Sequence, residues 1–145
     1  MSVKFAYRHL GAPDVYRRGL QPETAPDAVL FLDIEADLVI RDGERVVLAE
    51  ERFPVAELAL ALVDWLRRSD SERGDFAFDS MSGTDPGVVR MVESAEGWRV
   101  GSVFEPDTWT SPVTWDVLAA EVGEFVAAVR RGAAEIGARP GLIPA

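Results

Sequence analysis

"LFLDIEADLVI", residues 30–40, is the clearest strand signal in the chain. Successive side chains of a strand point to opposite faces. On that pattern Leu30, Leu32, Ile34, Ala36, Leu38 and Ile40 build the core side of a sheet, and Asp33, Glu35 and Asp37 line up on its outside. Carboxylates two residues apart on a strand lie about 7 Å from one another and repel by roughly 0.6 kcal/mol in water. So small a cost needs no metal to offset it, and the ordinary reading of the stripe is a solvated outer face. Among functional readings, a surface for a basic protein partner ranks above a metal or acid–base site, because no helper residues accompany the acids.

The neighbouring sequence supplies this strand with partners. "RDGE" at 41–44 is a hairpin signal, since Asp-Gly provides the positive φ of a tight turn. "RVVLAEE" returns beside it, and Glu50 and Glu51 extend the acidic patch. Residues 3–10 also alternate, with Val3, Phe5, Tyr7 and then His9 on the apolar face. Pairing there would bring Lys4 and Arg8 alongside the acids, at a few tenths of a kcal/mol for each pair. Between these strands "GAPDVYRRGLQPETAPD", residues 11–27, is a long loop, of a length that is uncommon without a function. Its Tyr16, Arg17 and Arg18 form a second candidate contact group.

Downstream, Val55, Leu58, Leu62 and Trp65 recur at helical spacing behind Pro54, with Arg67 and Arg68 at the C-terminal end. "DFAFDSM" (75–81) reads as a short strand, with Asp75 and Asp79 on its polar face, and "SGTDPG" (82–87) as a turn at Gly83 and Gly87. "VVRMVES" and "WRVGSVF" form another hairpin, in which Gly101 marks a bulge or a close contact. "EPDTWTSP" is a loop carrying Trp109, and Ser111-Pro112 opens a second helix over about 113–132. Trp109 in its loop is an interface-anchor candidate, weighed against packing over the sheet edge. Trp65, Trp98 and Trp115 are core candidates. The tail, 133–145, is expected to be loose. The order predicts an α+β fold over one domain, 1–145: a mainly antiparallel sheet of about six strands with two helices packed on one face.

Composition narrows the function classes. The chain has 145 residues and a formal net charge of −10, which disfavours nucleic-acid binding. It contains no cysteine, one histidine (His9) and one lysine (Lys4), so thiolate chemistry is excluded and a zinc site disfavoured. No nucleophile elbow, kinase set or Walker pattern is present, and no catalytic, metal or cofactor residue is assigned. The N-terminus lacks a signal-peptide core, and Glu57 and Asp64 interrupt the most apolar stretch. The expectation is a cytoplasmic protein that does not enter membranes.

Taken together, "LDIEADLVIRDGERVVLAEERFPVAELALALVDWL", "DFAFDSM" and "GWRVGSVFEP" resemble an uncharacterised actinobacterial family of small proteins, a domain of unknown function, over roughly residues 27–132. That resemblance implies no catalytic residues. The layout is also similar to that of immunity proteins of bacterial toxin systems. The function expected is a non-enzymatic acidic interaction domain for a basic protein partner, of which a toxin-neutralising immunity protein is one concrete version. The alternative is a small-molecule-binding domain or enzyme with a pocket between sheet and helices.

Overall fold

In the N-terminal strand β1 (Val3–Gly11), Val3 and Phe5 turn inward and Lys4 and Ala6 outward. The computed structural model describes residues 2–81 and 86–144, so Gly83 lies outside the described residues. β1 pairs antiparallel with β2 (Glu35–Asp42), and β2 with β3 (Arg45–Phe53), in a three-stranded sheet with β2 central. Gly43 takes the positive φ, 62°, at the β2–β3 turn.

The quoted stretch divides between two elements. Its first residues belong to a helix, and the strand begins only at Glu35. Residues 11–27, expected to be a loop, contain the short helix α1 (Pro13–Arg17) and lead into α2 (Asp27–Asp33). Pro26 and Asp27 favour a helix start there, by fixed φ and by charge at the dipole's positive end. Helical spacing buries Leu30, Phe31 and Ile34 together and leaves Leu32 38% exposed. Phe31, which a strand would place among the acids, is the residue that betrays the helix.

α3 (Val55–Arg67) buries Val55, Leu58, Leu62 and Trp65 as its spacing predicts. A single turn, α4 (Asp70–Arg73), precedes a four-stranded antiparallel sheet: β4 (Phe76–Ala77), β5 (Arg90–Ser94), β6 (Gly97–Ser102) and β7 (Glu105–Trp109). The antiparallel α+β class therefore stands, with the strands divided between two sheets instead of one. Most of the segment expected as the Trp109 loop is β7. α5 (Trp115–Glu135) is capped by Thr114, whose hydroxyl accepts from the Val117 N–H, and not by Ser111.

One core cluster joins both sheets to α3 and α5. Trp65 touches Phe76, Trp98 and Trp115 at centroid distances of 5.3–5.5 Å. Its indole N–H donates to the Gly74 carbonyl at 3.1 Å. The sheets are also pinned at the β2–β3 turn. Asp42 accepts from the Ser111 N–H at 2.7 Å, and Arg45 donates to the Trp109 carbonyl at 2.6 Å. The tail is not loose. Leu142 and Ile143 are buried, Arg130 donates to the Ile143 carbonyl at 3.0 Å, and Arg139 pairs with Asp27 and donates to the Ala25 carbonyl at 2.9 Å.

Candidate functional site

The structure brings two of the three candidate groups together. α1 and the residue after it carry Tyr16, Arg17 and Arg18 to the junction of α2 and β2, where Asp33, Glu35 and Asp37 lie. The three acids do not form a solvated stripe. Asp33, the last residue of α2, is buried and receives a two-pronged bond from Arg18, at 2.7 and 3.0 Å. Glu35 is half-buried. Burial and then the nearby Asp14 push its carboxyl above the usual range, against the pull of Arg52 and Arg17.

Asp37 sits between two irregular strands. His9 on β1 and Arg52 on β3 have φ of 60° and 53°, and both lie at register shifts beside Asp37. Each such residue costs about 1 kcal/mol in backbone strain. His9 Nδ1 lies 2.9 Å from Asp37 Oδ2, and a carboxylate partner requires that nitrogen to carry the proton. The Arg52 N–H donates to the other oxygen at 3.3 Å. The His9 bond first and the Arg52 N–H second hold the Asp37 carboxyl below the usual range. The bulge corrects the expectation for His9. An extra residue inverts strand parity, so its side chain is 74% exposed instead of continuing the apolar face.

Trp109 lies apart from this group, on β7. Its indole N–H donates to the Pro106 carbonyl at 3.1 Å, and the Arg90 guanidinium stacks 4.4 Å from a ring centroid. The ring also lies on Gly101, where an added Cβ would come within 2.8 Å of it. That close contact, and the β6–β7 register shift beside it, account for the glycine. Trp109 is thus packed over the sheet by its own chain. Of the loop group, Tyr16 is 60% exposed and Arg17 pairs with Asp14.

Three carboxylates that the sequence did not single out as sites hold distant segments together. Glu57, buried in the first turn of α3, accepts from the Ser80 hydroxyl at 2.6 Å and the Met81 N–H at 2.8 Å. Its position inside an apolar run was the available signal. Asp42 pins the two sheets. Glu121 of α5 accepts from the Phe5 N–H on β1 at 2.8 Å. It stands one turn from Leu118 and Phe125, within an otherwise apolar helix face.

Glu121 crosses a cleft of about 650 Å³ between the outer edge of β1 and α5. Burial raises its carboxyl above the usual range, Glu124 adds to this, and the Phe5 N–H and Lys4 oppose it. Tyr7 closes the floor by donating to the Ala128 carbonyl at 2.7 Å. A smaller recess beside Trp98 and Trp115 is occupied by Arg73, whose guanidinium lies 3.9 Å from the Trp115 ring centroid. Among the described residues no group of acids and His9 could hold a metal ion, and no helix is long and apolar enough to cross a membrane.

Fold and site define an α+β protein of two antiparallel sheets, with Asp33 and Asp37 held by hydrogen bonds at one sheet end and an edge-strand cleft beside its last helix. The chain belongs to the family described as Domain of unknown function (DUF7878), whose model matches residues 16–134. The match begins at Tyr16 and so takes in Arg17, Arg18 and the rest of the connection. No curated protein and no solved structure matches the chain.

Proposed function

We propose that this protein is a non-enzymatic interaction domain that receives an extended segment of a basic protein partner along the free edge of β1. A toxin-neutralising immunity protein is one concrete form of that function. The observation that carries the proposal is the Phe5 N–H. It points away from β2 into the 650 Å³ cleft, where only the side chain of Glu121 meets it. An edge strand offers unpaired backbone groups, and a partner strand satisfies them by adding to the sheet.

The chain as a whole, at −10, favours a basic occupant; within the cleft Glu121 and Glu124 stand beside Lys4, which pairs with Glu124 at 4.0 Å, and Arg131. The Asp33–Glu35–Asp37 stripe serves this role less well, since Arg18, His9 and Arg52 already engage two of its acids. A partner would be captured on the protein from its native host and then mapped by amide hydrogen exchange. Binding should protect Lys4–Tyr7, slow steeply with added salt and fail in the double variant Glu121→Lys, Glu124→Lys. Undiminished binding by that variant, with β1 unprotected, would sink the proposal.

A further inference from the structure

Where α5 ends, the C-terminal segment folds back over it and leaves a pocket of about 290 Å³. Its inner surface is mostly hydrocarbon, from Ala133, Ala134, Leu142 and Ile143. Its rim carries Arg130, Arg131 and Arg139. Three guanidinium groups around an apolar hollow contrast with a chain whose net charge is −10. Apolar walls disfavour a strongly hydrated ligand, and the cations select the sign of its charge.

The three arginines are not equivalent. Arg130 is engaged by the carbonyls of Ile143 and Pro144, so it holds the segment that closes the pocket. Arg139 is engaged by Asp27 and the Ala25 carbonyl. Arg131 makes no hydrogen bond or ion pair among the described residues and is exposed at the mouth. One cation thus remains for a ligand, and a planar guanidinium fork matches a carboxylate. The carbonyls that end α5 do not compete for it: the N–H groups of Ile136, Gly137 and Ala138 bond those of Gly132, Ala134 and Ala133.

We infer that this pocket binds a small apolar monocarboxylate, with its hydrocarbon group against Leu142 and Ile143 and its carboxylate on Arg131. Arg131 also stands at the end of the cleft proposed for β1, so the two sites share that residue; the amides of residues 141–143 report the pocket and those of β1 report the cleft, which keeps the two readings distinguishable.

The test titrates the full chain with octanoate, octanol and octylamine, followed by backbone amide NMR and calorimetry. Octanoate should shift the amides of Gly141, Leu142 and Ile143 and bind more tightly than octanol. Loss of one charge-assisted hydrogen bond in Arg131→Gln should weaken octanoate about tenfold and leave octanol unchanged. Ala134→Trp, which fills the hollow from an exposed position, should block both. Equal affinity for octanoate and octanol, preference for octylamine, shifts confined to other parts of the chain, or full octanoate affinity in Arg131→Gln would each overturn the inference.

Discussion

The Asp33 side chain keeps 3% of its surface exposed while that of Arg18 keeps 49%, so the two ends of this ion pair stand in different solvents. Removing Arg18 strands a buried carboxylate; removing the charge of Asp33 leaves a guanidinium that water already reaches. Arg18→Ala should therefore destabilise the fold by about 3 kcal/mol and Asp33→Asn by about 1 kcal/mol, as read from urea unfolding. Equal losses would mean that the pair is solvated at both ends. Asp42 makes a second prediction at this scale. Burial is the largest single influence on it and pushes its carboxyl upward, but hydrogen bonds from Ser111 and Arg45 outweigh burial and leave it below the aspartate value of 3.8. A group depressed by folding contributes stability above its unfolded value, and that stability is lost as pH falls through the folded one. Stability should thus drop below about pH 4, and Asp42→Asn should flatten that drop in thermal melts taken across the acid range.

At the scale of elements, α3 is both a core helix and an anchor. Its apolar face was legible because 3.6-residue spacing is a local property. The role of Glu57 was not, since its partners Ser80 and Met81 come from a segment beyond the helix and β4. Glu57→Leu keeps the bulk but takes the acceptor from the Met81 N–H, and should cost about 2 kcal/mol. Hydrogen exchange should speed up around residue 81 before the rest of the sheet is affected; an unchanged Met81 amide would show that the anchor is dispensable. The strand irregularities at His9 and Arg52 belong to this scale as well. Each is a local cost that the flanking strand pairs and the Asp37 bonds hold in place.

For the molecule as a whole, the C-terminal segment behaves as part of the core. Ile143 is 1% exposed, and Arg139 ties the segment back to α2 across most of the chain's length. Ile143→Ala should cost about 2–4 kcal/mol in the urea midpoint analysis, whereas a loose tail would give a change near zero. The same folding-back creates the pocket at Arg131, so conditions that fray the segment should also remove octanoate binding.

By itself the sequence determined the antiparallel α+β class, the turn at Gly43, the hairpin through residues 90–102, both long helices and the burial of Trp65 and Trp98. These rest on turn chemistry and periodicity, which act over a few residues. Only the tertiary structure decided the rest. Residues 30–34 satisfy both an alternating and a helical pattern, and packing chose the helix by burying Phe31 with Leu30 and Ile34. Packing also split the strands between two sheets, and it turned three acids in a row into a buried ion pair, a half-buried carboxyl with a raised pKa and a bridge between two bulges. A carboxylate's surroundings are set by arginines, backbone N–H groups and water that reach it from distant parts of the chain, and spacing along one strand carries no information about them.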